Sequence, residues 1–220
     1  MEWLEKLKND MLEITKTAAY EFFPSIGART EPYYNLRLEH VKQVEIEAFK
    51  LMEAYNDADR DIVLAAVWIH DRFKPQFEGY DHANKAADWV LENLGSKGFP
   101  KEKVKAVEYA VRNHAGYEKK PLETLEAQIL WDADKIAHRG PSYFFQTVFI
   151  LTNEGFAKND PRIKYEQTIS IENILPALAD RKREIDYDEP NPFHLEESNK
   201  LSIEKDEAVN AFLEAMQKRL

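Results

Sequence analysis

His70 and Asp71 stand side by side at the end of eight uncharged residues, Ile62 to Ile69. A helix that is apolar on every side is a buried helix. Its C-terminal end carries partial negative charge, so a carboxylate there calls for a cation to offset it. Either the helix simply surfaces and turns polar at His70, or the cation is a metal. The chain holds six histidines, at 40, 70, 82, 114, 138 and 194. His40 leads the stripe His40, Val44, Ala48, Leu51, and His114 completes the stripe Val104, Val107, Val111, His114. His82 lies in line with Ala86 and Val90. Taken singly, each is more often a satisfied core or helix-end histidine than a ligand.

The segment "LEAQILWDADKIAHRG" adds two carboxylates, Asp132 and Asp134, to a helix otherwise committed to burial by Leu125, Ile129, Leu130 and Ile136. A buried carboxylate is costly unless it is paired or bound to a metal. Four imidazoles and two or three carboxylates on five helices can make a two-metal shell. The chain has no cysteine, which excludes disulfides, thiolate zinc and iron–sulfur clusters. Any metal must sit among His, Asp and Glu, a donor set suited to iron, manganese or similar divalent ions.

The elements that would position these residues are all helical, since apolar positions recur at three and four and alternating β-branched runs are missing. The pattern predicts helices over residues 2–22, Leu36–Tyr55, from an Asp61 cap to about Phe73, Asp81–Gly95 and Pro100–Gly116. A sixth is introduced by Pro121 and Thr124 and closed by Gly140 and Pro141, a common helix-stop pair. The apolar seventh, "SYFFQTVFILTNEG", is expected in the core or at a subunit contact, which leaves room for a homo-oligomer. An eighth covers about Pro161–Ile185 with a bend at Pro176, and a last runs from about Ser202 to Leu220. With no repeat and no composition break, the reading is one all-α domain over 1–220 with a C-terminal helical extension from about 156.

The net charge of −10 and pI near 5.2 argue against a nucleic-acid backbone or an anionic membrane as partner. The N-terminus mixes charges into an amphipathic pattern instead of a signal peptide's apolar run. No stretch approaches the ~20 apolar residues needed to span a bilayer. The expectation is a cytoplasmic protein.

The order His40, His70-Asp71, Asp134 resembles the H…HD…D signature of the HD-domain metal-dependent phosphohydrolase superfamily. "LEHVKQVEIEAFKL" is similar to the helix of its first motif and "VLAAVWIHD" to that of its name-giving dipeptide. "HANKAA", "VEYAVRNHAG" and "ILWDADKI" resemble the three elements that follow, together covering roughly residues 36–140. A relative's third aspartate is replaced here by Ala137. The resemblance implies an HD-type helical bundle in which His40, His70, Asp71 and Asp134 hold one metal. Asp71 then bridges to a second held by His82 and His114, and Asp132 is an outer-shell partner.

The implied activity is hydrolysis of a phosphomonoester or phosphodiester of a nucleotide or similar small molecule by a metal-activated water. Asp71 and Lys135 would be the catalytic residues, Lys135 touching phosphate from the pocket rim. Arg72, Lys74, Arg112 and Arg139 are further candidate cations, each more simply read as solvated. Phe77 and Tyr80 could stack on a base or merely anchor their loop, and His138 fits a helix C-terminus. The same six-ligand set also occurs in mixed-valence diiron oxygenases of this fold, and a non-catalytic regulatory module is the remaining alternative.

Overall fold

The computed structural model describes residues 1–22, 34–74, 80–116, 118–148 and 192–218. Among these there is no strand. The helices are α1 (Glu2–Phe22), α2 (Leu36–Ala54), α3 (Arg60–Ile69), α4 (Tyr80–Asn93), α5 (Val104–Asn113), α6 (Leu125–Ala137) and α7 (Glu196–Gln217). Residues 140–148 are also helical. Phe77 and the helix expected at 161–185, with Pro176, lie outside the described residues, as does the side chain of Tyr80. No helix among the described residues is long and apolar enough to cross a membrane.

The described chain forms two compact units, one made of Met1–Ala137 with Phe193–Ser198, the other of His138–Pro192 and Asn199–Leu220. In the first, α3 is the centre: Ile62 to Ile69 are all buried, as the uncharged run requires. At ~1.5–3 kcal/mol for each large aliphatic side chain taken from water, such a helix is held by its surroundings and not by propensity. Val41, Val44, Ala48 and Leu51 of α2 and Ile129, Leu130, Ala133 and Ile136 of α6 are buried with it. In α1, Leu4, Leu7 and Met11 form the buried stripe, and Trp3 meets Phe99 edge-on at 4.9 Å. Asn35 caps α2 by accepting from Leu38 N and donates through Nδ2 to Thr15 Oγ1 at 2.8 Å, so the start of α2 is fixed on α1.

Several expected boundaries move. The cap of α3 is Asp59, not Asp61: Asp59 Oδ1 accepts from the amides of Asp61 and Ile62. Asp61 falls inside the first turn and instead joins Asp59 in holding Lys103 Nζ, at 3.0 and 2.7 Å. The helix also ends at Ile69 rather than near Phe73, because Arg72 N and Lys74 N bond back only three residues, to Ile69 and Asp71. This tight turn carries Asp71 off the helix axis. α4 passes into a 3-10 turn at Leu94–Lys97 that Gly98 closes with a left-handed φ of 94°, and a second 3-10 turn, Lys101–Lys103, precedes α5. α6 stops at Ala137, three residues before Gly140, and α7 starts at Glu196, six residues before Ser202.

In the second unit, Gly140 has φ 78°, and an added Cβ would lie 3.0 Å from Lys205 Cβ. There Arg139 pairs with Asp206, and Phe144 packs on Phe212 with ring centroids 5.5 Å apart.

Candidate metal centre

The five helices α2 to α6 bring six buried side chains together: His40, His70, Asp71, His82, His114 and Asp134. His40 comes from the inner face of α2, His70 from the C-cap of α3, Asp71 from the turn after it, His82 from the first turn of α4, His114 from the C-cap of α5 and Asp134 from the inner face of α6.

Asp71 divides its oxygens. Oδ2 lies 3.7 Å from His40 Nε2 and 3.8 Å from His70 Nε2. Oδ1 lies 3.3 Å from His82 Nε2 and 3.7 Å from His114 Nε2. Asp134 Oδ1 faces His40 Nε2 at 3.0 Å and His70 Nε2 at 4.0 Å. His40, His70 and Asp134 form one group whose donor atoms all lie within 4.8 Å of one another, and His70, Asp71 and His114 form a second. His70 therefore stands in both.

The ring orientations follow from the backbone. His70 Nδ1 is 2.7 Å from Val67 O and His114 Nδ1 is 2.5 Å from Val111 O. A carbonyl only accepts, so each Nδ1 carries the ring proton and each Nε2 turns a lone pair inward. His70 Nε2 is buried with no hydrogen-bond partner. An unpaired buried acceptor flanked by carboxylate oxygens fits a bound cation, and the second-row contact that fixes the tautomer is the usual support of a metal-binding imidazole.

The electrostatics suit the same purpose. Burial drives the His70 imidazole down to about 3, outweighing the charges of Asp71 and Asp134, so it is neutral at physiological pH. Burial pushes the Asp71 carboxyl up, but the Arg37 guanidinium holds it well below the usual carboxylate range. Neutral imidazoles and ionised carboxylates are the states that bind metal. The donor set is all nitrogen and oxygen, one that could hold a divalent metal ion.

Arg37 was not among the residues read from the sequence as functional. Its Nη1 donates to Asp71 Oδ2, with the side chain 26% exposed. The signal was available: Arg37 precedes His40 by three positions, one turn along the same face of α2.

Arg72, Arg112 and Arg139 are engaged elsewhere. Arg72 lies 4.0 Å from the Trp89 ring and 3.8 Å from Asp10, and Arg112 pairs with Glu108 and Asp88. Lys74 is half-buried in the turn after Asp71. His138 packs on Tyr143 at 5.2 Å in the second unit. Lys135 is buried, 3% exposed, with Nζ 2.5 Å from Asp134 Oδ2 and 3.0 Å from His114 O.

Asp132 departs from the outer-shell role. Its Oδ1 accepts from His194 N and His194 Nδ1, both at 3.0 Å, and its Oδ2 from Leu195 N at 2.9 Å. A carboxylate at i and another at i+2 on a helix point about 200° apart. Asp132 therefore fastens the Phe193–Ser198 segment, while Asp134 faces the histidines.

Two groups of buried His and Asp donors, each able to hold a metal ion, thus lie inside a helical bundle. Residues 37–139 match the HD domain family. All six of the clustered side chains lie within that stretch. Among solved structures, an HD-superfamily hydrolase from Bacillus thuringiensis is 18% identical with a TM-score of 0.59, covering 99% of this chain and 97% of that one. Bacillus subtilis YpgQ in complex with ADP is 16% identical with a TM-score of 0.57, covering 100% of this chain and 97% of that one. A predicted HD-superfamily hydrolase from an uncultured Thermotogales bacterium is 19% identical with a TM-score of 0.55, covering 96% and 91%. At these identities the likeness defines the fold. No curated protein matches the sequence.

Proposed function

We propose that this protein is a metal-dependent phosphohydrolase that cleaves a phosphomonoester or phosphodiester bond of a nucleotide or related small molecule. The observation that carries the reading is the division of Asp71, whose two oxygens face two different pairs of histidines. His40, His70 and Asp134 would hold one ion, His82 and His114 the other, and Asp71 would be shared between them. Bound divalent ions supply an acidified water for in-line attack and neutralise charge on a phosphoryl group. The protein's part is to keep the His70 imidazole neutral and the Asp71 carboxylate ionised in a buried place, where each charge acts more strongly than in solvent. Arg37, partly exposed and already bonded to Asp71, is placed to offer its remaining guanidinium nitrogens to a phosphate, which a planar fork binds well. That the similarly folded YpgQ was crystallised with ADP supports a nucleotide as the class to test first.

The test is a panel of nucleotides and phosphomonoesters offered to the protein loaded with manganese or iron. Release of phosphate or of a nucleoside product supports the reading. Consumption of oxygen by the iron-loaded protein without any phosphoester cleavage would replace it with the oxygenase chemistry of the same ligand set.

A further inference from the structure

We infer that Lys135 is a positioning residue of the metal centre: it fixes the Asp134 carboxylate and ties it to the main chain at His114, and it does not contact substrate. The inference rests on the metal-centre reading of the site and needs no particular reaction.

The neighbour of a ligand aspartate on a helix lies about 100° away around the axis, a direction that could equally reach a pocket rim or a neighbouring helix. Here it reaches the neighbour. The Lys135 ammonium has three donors. One goes to Asp134 Oδ2 at 2.5 Å and one to the carbonyl of His114 at 3.0 Å, with the Trp131 ring 5.1 Å away on the same helix. The side chain is buried, so its charge is spent inside the protein.

Two consequences follow. First, with Oδ2 held by Lys135, Asp134 turns Oδ1 alone to His40 and His70. The carboxylate is set to offer one oxygen to an ion, and it cannot swing away without breaking a charge-assisted bond in a buried place. Second, His114 is the C-cap of α5, and its carbonyl is one of the groups a helix end leaves without a helical partner. By satisfying it, Lys135 links Asp134 of one donor group to the backbone of His114 of the other. Losing the ammonium would leave both oxygens unpartnered by it and the two groups less firmly registered.

The experiment measures manganese affinity of the substrate-free protein, from the free-ion electron paramagnetic resonance signal, for wild type, Lys135→Met, Asp134→Asn and the double variant. Removing an outer-shell partner typically costs ~10–100-fold in metal affinity, and Lys135→Met is expected to weaken the tighter site by that amount. In the Asp134→Asn background the same change should add less than about threefold, since residues acting through one another are not additive. At saturating metal, KM for a cleaved phosphoester should stay within about threefold of wild type.

Wild-type affinity in Lys135→Met together with a tenfold rise in KM would overturn the inference and return Lys135 to the substrate. Failure of the wild type to bind manganese or iron would overturn it along with the metal-centre reading. Metal binding with no phosphate release counts against the phosphohydrolase reading alone, because the affinities still decide the role of Lys135. Should Lys135→Met not fold, reductive methylation of the metal-loaded wild type gives the answer by mass spectrometry. Lys135 should stay unmodified with and without inorganic phosphate while exposed Lys42 reacts; ready modification that phosphate blocks would refute the positioning role.

Discussion

His82 Nε2 and His114 Nε2 stand 3.2 Å apart, and both face the same oxygen of Asp71, at 3.3 and 3.7 Å. His114 directs a lone pair inward because its other nitrogen donates to Val111 O. Two ring nitrogens this close in a buried place require a shared proton or a shared cation, and the carboxylate oxygen beside them favours positive charge. On the opposite side of Asp71, His40 and His70 repeat the arrangement about the other oxygen.

Unequal losses should follow from this division. His114→Ala removes a donor from one side only, so it should weaken one ion by more than the ~10–100-fold typical of an outer-shell loss and leave the other in place. Asp71→Ala removes an oxygen from both sides and should lower the occupancy of both ions and abolish activity. Stepwise manganese titration of the two variants is the check. Identical, simultaneous loss of metal in both would contradict a shared carboxylate.

Much of this centre was legible in the sequence because the requirements are local and chemical. His40, His70, His82, His114 and Asp134 sit on helix faces or ends that the 3.6-residue period outlines, Asp71 lies just past such an end, and the resemblance to HD-domain motifs joined the six into one set. The all-helical fold was legible for the same reason. What periodicity could not give was contact between elements distant in sequence. Asp132 meets His194 and Leu195 across about sixty residues, and nothing local distinguishes it from Asp134. The bond from Lys135 to His114 depends on how α5 ends against α6. The cap at Asp59 was missed by two residues because Asp59 and Asp61 are both good capping types and only the backbone geometry separates them.

Arg37 offsets Asp71 in the metal-free protein, so its loss should matter most there. Arg37→Met leaves a buried carboxylate without its main cation, at a cost of about 2 kcal/mol for a charged hydrogen bond. Divalent metal can take over the same offsetting role. Unfolding midpoints with chelator and with manganese should therefore show a larger metal-induced gain in Arg37→Met than in wild type. An equal gain would mean that Arg37 and the ion do not share Asp71.

Asp59→Ala removes the cap of the central helix and should cost about 1 kcal/mol at neutral pH. Burial pushes the Asp59 carboxyl up, but Lys103 and the amides of Ile62 and Asp61 bring it below its ordinary value. A carboxyl lowered by folding contributes stability that is whole above the unfolded value near ~3.9 and is lost as pH falls through the folded one. Urea denaturation should show the gap between wild type and Asp59→Ala at pH 7 and its closure at pH values below about 4. A gap that persists undiminished in acid would point to packing instead of the charged cap.

His70 gives the metal-free protein an acid sensitivity of opposite origin. Its imidazole is held neutral by burial, down to about 3, whereas in the unfolded chain it takes up a proton near ~6.5. Between these values the unfolded state binds a proton that the folded state refuses, so stability falls as pH drops from about 6.5 toward 3. His70→Gln cannot take up that proton. With chelator present, its unfolding midpoint should vary less between pH 7 and 5 than that of wild type. Parallel profiles would show that His70 is protonated in the folded protein.

Asp132 serves structural support on the same helix that carries Asp134 of the candidate metal centre. It is fully buried, and its two oxygens accept three hydrogen bonds, from His194 N, His194 Nδ1 and Leu195 N. His194 Nε2 in turn contacts Lys120 O at 2.8 Å, and Lys119 Nζ donates to Phe193 O at 2.6 Å, so the same short segment is held from the chain that follows His114. Asp132→Ala would strand two backbone amides beneath a covered surface, and each unsatisfied donor costs ~1–3 kcal/mol. A total of about 3 kcal/mol in a chain of this length corresponds to a fall of roughly 6–12 °C in Tm. Asp132→Asn should not rescue it fully, because its amide group must place a donor against at least one of the N–H groups that the carboxylate accepted. Manganese affinity at the site of Asp134 should stay within about threefold of wild type in both variants, a difference of no more than ~0.65 kcal/mol. Thermal melts and metal titrations on the same samples give the two numbers. A tenfold loss of metal affinity with an unchanged melt would place Asp132 in the support of the metal after all.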